Sequence, residues 1–553
     1  HDGQASEIPK WSVMRAMAEE FDFVIVGAGS AGCVLANRLS ADPANRVLLL
    51  EAGPRDISPF IHMPAAFIHA ISRTSIDWGY VAESEPHLNG HRETCPRGRV
   101  LGGSSSVNAM AFVRGHRGDF DDWAENGLTD WSFAHCLPYF KRLETFSGGA
   151  DSWRGGEGPV HVTAPQFSNP LNNIFLEAAE EAGFPRSDDT NGADLEGAGV
   201  ADQTIHNGRR VSTATAYLNP VRKRPNLDIR TGALVARVVF EEGRATGVEL
   251  AGPAATSIRA RREVILAGGA INSPQLLMLS GIGPGQHLQD HGLPVVADCP
   301  EVGTQLQDHI DVSVIHRCLR PVSATPYLSW PRKPFAGLQW LLTRRGAVAT
   351  NHFEAAAYVR TRPQLERPDV QLFFIPLAVS TDGSPLAGGH GFQATVMLLQ
   401  PRSRGAISLK SADPSVAPAI RFNYLAEEED AVNLGHGVDA MRRVFASSAF
   451  APYAGEEILP GAESDTLEQV AAFVRRHMKS THHPCGTCRM GVDQGSVVDG
   501  AGRVRCVEGL RVVDASIMPT ITSGNINAPV IMMAEKLSDA ILGKPDLPPE
   551  NPS

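Results

Sequence analysis

Two stretches near the C-terminal end combine residue types that could remove the proton of an alcohol. Residues 481–490 read THHPCGTCRM and contain the adjacent His482 and His483, while residues 523–529 read SGNINAP and contain Asn525 and Asn527. A neutral imidazole can accept a hydroxyl proton, and a neighbouring amide can hydrogen-bond the same oxygen and hold its lone pair in place. Loss of that proton drives electron density onto the carbinol carbon, which favours departure of a hydride.

A structural role is the alternative for these residues. The chain has 19 histidines, most of which must be structural, so the local sequence leaves capping or pairing with a carboxylate open for His482 and His483. Cys485 and Cys488 form a CxxC that could be a thiol redox pair. Because no second CxxC accompanies it, a structural zinc site is not expected. We interpret both cysteines as small buried residues, and we predict no metal site.

A glycine-rich turn near the N-terminal end predicts a dinucleotide site. The apolar run at 21–26 indicates a buried parallel strand, and GAGSAG follows with Gly27, Gly29 and Gly32 before a helical run. Gly27 permits the tight turn, Gly29 lets a pyrophosphate approach the backbone, and Gly32 lets the helix pack close to the strand. The helix N-terminus offers N–H groups to the phosphates. Glu51 ends the next strand, where an acid can bind ribose hydroxyls. An acid there disfavours NADP and leaves NAD and FAD open.

Two further stretches have irregular composition. Residues 64–94 are rich in Pro, His and Ser, which predicts a lid or loop. Residues 98–108 read GRVLGGSSSVN, and the Gly-Gly-Ser-Ser run could open a helix and present N–H groups to an anionic ligand. An ordinary Gly/Ser loop explains this run equally well.

Composition limits the class of protein. A chain of 553 residues is long enough for two domains. Its net charge of −11 and the lack of a Lys/Arg-rich block argue against nucleic acid and against an anionic membrane surface as partners. No apolar run approaches the roughly 18 residues of a membrane span, so no integral membrane segment is expected. We expect a cytoplasmic location, although a chain that starts at His1 leaves a removed leader open.

The pattern of elements predicts α/β and α+β parts. Helices are predicted at 119–145, 170–183 and 271–280, and strands at 227–230, 233–240, 245–250 and 263–267. Strands at 356–360, 370–376, 392–400 and 406–410 precede helices near 426–447 and 465–479, which suggests an antiparallel sheet with helices on one face. A strand at 509–513 and a helix at 529–542 close the chain. We predict a discontinuous Rossmann-like cofactor domain (20–63, 95–165, 217–305 and 480–545), a substrate domain (166–216 and 306–479) and an N-terminal extension (1–19).

Four stretches together resemble the glucose–methanol–choline (GMC) family of FAD oxidoreductases over nearly the whole chain. They are the Gly27–Gly32 turn with Glu51, residues 98–108, residues 269–283 (GAINSPQLLMLSGIG) and the turns of His483 and Asn525. The second and third look like the two signature patterns of that family. The C-terminal stretches look most like its bacterial choline-dehydrogenase-like and alcohol-dehydrogenase-like members. The resemblance implies FAD as the cofactor.

The resemblance also implies the roles of particular residues. His483 matches the active-site histidine and Asn525 its His-or-Asn partner, and the neighbouring His482 and Asn527 are the alternatives if the register is shifted by one or two positions. The residues implied to contact FAD are Gly27, Gly29, Ser30, Ala31, Gly32, Glu51, Ala52, Arg99, Gly102, Gly103, Ser106, Asn108, Ala109, Val235, Asp514, Ala515, Asn527 and Pro529. Val107 stands where some choline oxidases carry the histidine that links FAD, so we expect non-covalent FAD.

The implied reaction is oxidation of a primary, or secondary, alcohol to an aldehyde or ketone. His483 would assist proton removal while the carbinol hydride goes to flavin N5, with oxygen or a quinone-type molecule as the final acceptor. A hydroxynitrile lyase that keeps FAD without net redox is the alternative. We also hypothesise an apolar substrate pocket, with candidates on the middle strands: Phe373, Phe374, Met397, Leu398 and Leu399. The alternative for each of them, and for any single one the stronger, is that it is a core residue.

Overall fold

The structure is a computed structural model that describes residues 19–252, 256–330, 332–379, 386 and 389–552. The predicted N-terminal extension therefore lies outside the described residues except for Glu19, which begins the first strand.

Fourteen strands of the described chain form two seven-stranded sheets. In chain order they are β1 (Glu19–Val26), β2 (Val47–Glu51), β3 (Gly197–Val200), β4 (Leu227–Thr231), β5 (Val235–Glu241), β6 (Arg244–Leu250), β7 (Ser257–Leu266), β8 (Ile310–Cys318), β9 (Ala355–Val359), β10 (Val370–Ile375), β11 (Gly391–Leu398), β12 (Ala454–Leu459), β13 (Lys479–Ser480) and β14 (Leu510–Val512). Short two-stranded ladders join Tyr80–Val81 to Thr94–Cys95, Glu144–Phe146 to Val160–Val162, Ile205–His206 to Arg209–Arg210, Ile282–Gly283 to Ala297–Asp298, and Ala406–Ser408 to Ala419–Arg421.

Twelve α-helices are described. They are α1 (Ser30–Leu39), α2 (Pro59–His62), α3 (Phe67–Ile71), α4 (Arg117–Glu125), α5 (Phe133–Leu143), α6 (Leu171–Glu181), α7 (Gly269–Leu279), α8 (Gly285–Asp290), α9 (Arg332–Thr343), α10 (Glu428–Phe445), α11 (Leu467–His477) and α12 (Asn527–Leu542).

The first sheet has the order β4-β2-β1-β7-β6-β5, and β14 pairs with β7. Strands β4, β2, β1, β7 and β14 are parallel, whereas β5, β6 and β7 form an antiparallel meander. Buried β-branched and leucine side chains line the parallel strands on both faces, as a sheet covered by helices requires. The chain returns to this sheet through β7 and β14, so the predicted discontinuity of this sheet in sequence is confirmed.

The second sheet is antiparallel, with the order β12-β8-β11-β10-β9-β3, and β13 pairs with β8. Helices α6 and α10 pack against each other and against this sheet, and α11 packs on α10. Phe175 of α6 stacks on Phe374 of β10 with ring centroids 5.1 Å apart. The predicted combination of α/β and α+β parts is thus the observed fold.

Three element predictions differ from the structure. The helix expected at 119–145 is two helices, α4 and α5, because the chain turns at Gly127 (φ 98°) and a short 3₁₀ turn follows. The strand expected in the second sheet at 406–410 pairs instead with Ala419–Arg421 in a separate ladder. Residues 64–94 include α3 and two single 3₁₀ turns rather than a structureless loop. No helix in the described ranges is long and apolar enough to cross a bilayer.

Candidate active site

One cavity of about 340 Å³ connects the glycine turn of the first sheet with the C-terminal histidine turn. Its volume falls in the range of small-molecule sites, roughly 300–1,000 Å³. Of the predicted site residues, the following line it: Gly27, Gly29, Ser30, Ala31, Glu51, Ala52, Gly103, Asn108, Ala109, Val235, His483, Asp514, Ala515, Asn525 and Asn527. The fold therefore brings residues nearly 500 positions apart in sequence to one surface.

Five predicted residues do not line this cavity. A Cβ on Gly32 would lie 1.9 Å from the Gly27 carbonyl oxygen, so Gly32 serves the close packing of α1 on the turn. Gly102, at φ 87°, donates its N–H to the Ala28 carbonyl. Ser106 is buried and its hydroxyl donates to the Leu101 carbonyl. The remaining two are Arg99, whose guanidinium lies over the Trp78 ring, and Pro529, in the first turn of α12.

The N-terminus of α1 is open toward the cavity. No side chain caps this helix at Gly29, so the first N–H groups are left for a ligand. A Cβ on Gly29 would meet no protein atom closer than 3.8 Å, whereas one on Gly103 would lie 2.6 Å from the Gly29 Cα. Ser30 Oγ donates to Asn527 Oδ1 (2.7 Å), which ties the starts of α1 and α12 together. Free N–H groups beside open space are the arrangement that binds phosphate.

Two buried carboxylates fix the loops of the cofactor end. Glu51 accepts hydrogen bonds from the backbone N–H groups of Ala28 (2.9 Å) and Gly53 (2.8 Å). Burial raises the pKa of Glu51 to about 7, against the lowering effect of those two bonds. Asp514 accepts from the Gly269 N–H (2.8 Å) and from Ser273 Oγ (2.6 Å) and so holds the start of α7. Both carboxylates shape the backbone turns besides lining the cavity.

At the other end of the cavity, His483 is held by four polar contacts. Its Nδ1 lies 3.0 Å from His309 Nδ1 and 3.0 Å from Thr481 Oγ1. Its Nε2 lies 3.2 Å from Asn525 Nδ2. Its backbone N–H donates to Asp308 Oδ1 (2.7 Å). These contacts fix both the turn and the plane of the imidazole.

The hydrogen-bond chain assigns the tautomer of His483. His309 Nε2 lies 3.1 Å from the Leu399 carbonyl oxygen, which can only accept, so this nitrogen carries a hydrogen. Burial lowers the pKa of His309 to about 4, so its ring is neutral and its Nδ1 has a lone pair. His483 Nδ1 must then carry the hydrogen between the two rings. The lone pair of His483 is consequently on Nε2, the nitrogen beside Asn525 in the cavity.

Burial keeps His483 neutral. Its pKa lies well below the ordinary histidine value, first because of burial and then because of neighbouring positive charge that includes Arg97. Arg97 lines the cavity and donates from Nη2 to the His482 carbonyl oxygen (2.5 Å). The arrangement is an unprotonated base, an amide donor and a guanidinium around one space, which can take a hydroxyl proton and stabilise the oxygen left behind.

Comparison with known proteins agrees with this geometry. The model described as GMC oxidoreductase matches residues 21–311 in its N-terminal part and residues 401–534 in its C-terminal part. The chain belongs to the GMC oxidoreductase family. It is 49% identical over 535 residues to the oxygen-dependent choline dehydrogenase of Brucella ovis, across 96% of this chain and 97% of that one. The same identity over 533 residues, with the same coverage, relates it to the enzyme of that name from Rhizobium etli.

Solved structures extend the comparison to the fold. Pyridoxine 4-oxidase from Mesorbium loti superposes with a TM-score of 0.86 at 34% identity, covering 94% of this chain and 99% of that one. A formate oxidase superposes with a TM-score of 0.88 at 26% identity, covering 95% and 98%. As a GMC oxidoreductase, the chain is an FAD-dependent enzyme that acts on CH–OH groups. Nothing in these comparisons supports the hydroxynitrile lyase alternative.

The cavity fits the FAD of a GMC oxidoreductase on structural grounds. The open N-terminus of α1 suits the pyrophosphate, and two buried polar atoms at the histidine end, His482 Nδ1 and Asn525 Oδ1, have no hydrogen-bond partner among the described residues. Unpaired buried polar atoms are costly and mark a place where a ligand or water belongs. Val107 is buried against Ile61 and Val100 and offers no nucleophile, in keeping with the non-covalent binding usual for the family.

The register alternatives separate in the structure. His482 also lines the cavity, but it adopts φ 64°, and burial together with Arg97 lowers its pKa to about 3. Of the two histidines, His483 is the one whose ring contacts Asn525. The side chain of Asn527 bonds Ser30 instead. The contact with Asn525 distinguishes His483 from His482, and the assignment of His483 and Asn525 as the catalytic pair stays a prediction.

Sequence reasoning missed three residues that position His483. Asp308 and His309 directly precede β8, and Thr481 lies two residues before His483. Asp308 accepts from Ser480 Oγ and Tyr424 Oη as well as from the His483 backbone, and burial raises its pKa to about 6. Nothing in the local sequence distinguishes His309 from the other histidines, because its role depends on a contact across 174 positions.

The structure also bears on the proposed substrate-pocket residues and on the two cysteines of the CxxC. The five apolar residues proposed for the substrate pocket do not line the cavity. Phe374 stacks on Phe175 in the core, and Leu399 presents its carbonyl to His309.

Cys485 and Cys488 are fully buried, and burial raises the pKa of both thiols, which suits inert core residues. The described residues contain no group of three His, Cys, Asp or Glu side chains suited to a metal ion.

Proposed function

We propose that the enzyme oxidises an uncharged primary or secondary alcohol that carries an apolar substituent, with His483 as the base and Asn525 as the donor to the substrate oxygen. The contact between His483 Nε2 and Asn525 Nδ2 at 3.2 Å carries this proposal, because it puts one acceptor and one donor within reach of a single hydroxyl. FAD, when bound, accepts the hydride from the carbinol carbon.

The low basicity of His483 bears on how the proton leaves. A histidine whose pKa lies well below the usual value cannot hold the proton of an unactivated alcohol. We therefore infer that Nε2 takes the proton as the hydride departs, rather than before it. The Asn525 amide and the nearby Arg97 guanidinium stabilise the negative charge that develops on oxygen meanwhile.

The substrate class is inferred from the lining of the cavity. Phe67, Ile71, Met110 and Ala111 supply apolar surface to it. Among the described lining residues the only carboxylates are Glu51 and Asp514, and both bond backbone N–H groups at the loops of the cofactor end. A quaternary ammonium group is bound by a carboxylate or by a cage of several aromatic faces, and among the described lining residues only Phe67 and Trp78 are Phe, Tyr or Trp.

The nearby charges give no counter-charge to a cationic substrate. Arg97 brings positive charge to this end of the cavity, and the ring of Trp78 is already faced by Arg99 at 5.1 Å. Buried Asp308 offsets part of the charge of Arg97 but does not line the cavity. Choline, the substrate named for the 49% identical relatives, is therefore the candidate to test against uncharged alcohols.

The test is anaerobic flavin reduction with 1-hexanol, benzyl alcohol, choline and glucose. We expect loss of the oxidised-flavin absorbance with the first two and not with glucose. Faster reduction by choline than by either uncharged alcohol would contradict the proposed substrate class while leaving alcohol oxidation intact. Failure of every alcohol would contradict the proposal as a whole.

We propose oxygen or a quinone-type molecule as the electron acceptor and a cytoplasmic location. Admission of air after the anaerobic step separates the acceptors. Rapid recovery of the flavin spectrum with peroxide indicates an oxidase, and slow recovery that a soluble quinone accelerates indicates a dehydrogenase.

We also propose that the predicted domain limits hold, with 20–63, 95–165, 217–305 and 480–545 as the FAD-binding domain, 64–94 as a lid, and 166–216 with 306–479 as the substrate domain. The pairing of β3 with β9 supports the assignment of 166–216, since it places this segment in the second sheet. Limited proteolysis of the FAD-bound enzyme tests the limits, because the proposal expects the first cuts within 64–94.

A further inference from the structure

Helix α9 exposes an unusual number of large apolar side chains. Phe335 is 70% exposed, Leu338 53%, Leu341 50% and Leu342 77%, and Trp330, just before the helix, is 83% exposed. At 100° per residue, the four helical positions fall on one arc of the helix surface. This apolar face, defined as these five residues, is the densest group among the exposed large hydrophobic side chains of the described chain.

The opposite side of α9 is what attaches the helix to the protein. Ala336 and Trp340 are buried at 3% and 1% exposure, and Trp340 Nε1 donates to the Gly208 carbonyl (2.6 Å). A Cβ on Gly208 would lie 1.9 Å from the Arg344 carbonyl oxygen, so the end of the helix is in tight backbone contact there. A helix that is apolar on two sides normally lies inside a core. Here one side is packed and the other is not covered by any described residue.

Basic residues flank the apolar face at both ends. Arg332 and Lys333 begin the helix, and Arg344 and Arg345 follow its last turn. None of the four takes part in an ion pair with a described residue, and Arg344 stacks over the Trp340 ring at 4.2 Å. Four cations without an acidic partner in the described part of the chain, whose net charge is −11 overall, are a local departure from the overall electrostatics.

We propose that α9 docks on an anionic lipid bilayer, with the apolar face inserted at the headgroup level and the flanking Arg332 and Arg345 on the lipid phosphates. An amphipathic helix with aromatic and leucine side chains and flanking Lys/Arg binds membrane surfaces through buried apolar area and electrostatic attraction together. Such a helix lies in the interface and does not span it.

The charges favour a membrane over a second copy of the chain. A two-fold axis that paired two α9 helices antiparallel would bring Arg332 and Lys333 of one copy toward Arg344 and Arg345 of the other. Like charges at both ends oppose that contact, whereas an anionic bilayer complements them.

Helix α9 also adjoins a short helix that lines the cavity. Phe67 and Ile71 of the short helix α3 line the cavity, while Ile68 between them is 53% exposed. His69 of the same helix has a pKa lowered first by burial and then by Lys333 of α9, so the two helices are neighbours. Docking through α9 therefore brings a neighbour of the cavity lining to the lipid surface, where an apolar alcohol or acceptor concentrates.

The test is co-sedimentation of the FAD-bound enzyme with phosphatidylcholine vesicles that contain phosphatidylglycerol, at low and high salt. We expect binding at low salt that salt weakens, and little binding to pure phosphatidylcholine. Phe335→Ser with Leu342→Ser should abolish it, and Arg332→Gln with Arg345→Gln should weaken it about 30-fold, from about 1 kcal/mol per basic residue. Val492→Ser, at a side chain 59% exposed elsewhere, is the matched control and should bind like the parent.

A second measurement locates the contact. Trp330 fluorescence should be quenched by brominated lipid in bound enzyme, and Trp330→Phe should remove that quenching. The proposal is overturned if the folded, FAD-bound enzyme stays in the supernatant at low salt. It is also overturned if the enzyme forms a stable dimer that the double variant Phe335→Ser, Leu342→Ser dissociates. Oxidation of a short water-soluble alcohol should be unchanged in every variant, so this test does not depend on the proposed substrate.

Discussion

Replacement of His309 tests whether this residue sets the tautomer of the base. In His309→Leu, the ring that accepts the hydrogen of His483 Nδ1 is lost, and Thr481 Oγ1, at 3.0 Å, remains as the other acceptor. His309→Asn keeps an acceptor atom near the position of the lost Nδ1. Both variants lose the donor to the buried Leu399 carbonyl, so they share one structural defect and differ in the acceptor.

The expected magnitudes follow from the hydrogen bonds. A neutral hydrogen bond contributes about 0.5–1.5 kcal/mol, which corresponds to a factor of about 2–13 in the population of the correct tautomer. We therefore expect flavin reduction to slow about tenfold in His309→Leu. The double variant with Thr481→Val should lose both acceptors and slow at least about 100-fold, since a wrongly held imidazole costs up to about 10⁴-fold in a hydrolase triad. The unpaired Leu399 carbonyl should cost about 1–3 kcal/mol of stability in either His309 variant.

The assay is the anaerobic rate of flavin reduction at saturating alcohol, with FAD content and Tm measured on the same samples. A merely structural role for His309 would slow Leu and Asn variants alike and in proportion to their loss of Tm. The tautomer argument instead requires similar Tm values and a substantially faster Asn variant. Reduction at the parent rate in the double variant would refute the reasoning.

Three further outcomes are expected. His483→Ala should retain FAD and slow flavin reduction by about 10²–10⁴-fold, whereas His482→Ala should lose much less, and the reverse order would move the base to His482. Gly29→Ala should give a folded protein with little FAD, because the added Cβ clashes with no protein atom but lies where the pyrophosphate is expected. Gly32→Ala should fail to fold stably, because its Cβ would lie 1.9 Å from a carbonyl oxygen. FAD content and circular dichroism distinguish the two variants. Because the pKa of His483 is lowered, the unprotonated base persists as pH falls, so the acid limb of the reduction rate should lie below 6.5, and a limb above that value would contradict the assignment.

The parallel part of the fold could be predicted because its signals are local. The strand, glycine turn and helix at 21–39 each follow from residue type over a few positions, and β2 and Glu51 follow from spacing. The separate ladder at 406–408 could not, because it depends on which segment the strand pairs with, whereas the break between α4 and α5 has a local cause in the turn at Gly127. Local propensity does not report such partners.

The candidate site, like the fold, could be predicted from the sequence only in part. Patterns at the two ends of the chain named the residues that line the cavity, but not what holds them. Arg97, Asp308 and His309 act on His483 through contacts that exist only in the folded chain. The apolar run on the middle strands pointed to a pocket and proved to be core, because hydrophobicity alone does not distinguish a pocket wall from a packed interior.

The docking proposed for helix α9 runs against the average charge of the chain. The net charge of −11 argues against an anionic membrane as a partner, yet charge acts over about one Debye length, roughly 8 Å in physiological salt. The electrostatic potential near α9 is therefore set by its own basic residues, Arg332 and Lys333 at one end and Arg344 and Arg345 at the other. Acidic residues on the far surface contribute little to it. Apolar spacing alone would assign Phe335, Leu338 and Leu342 to the packed side, and the structure packs Ala336 and Trp340 there instead. Only the fold shows which of two apolar sides is left for a partner, and only the local charges indicate what that partner is.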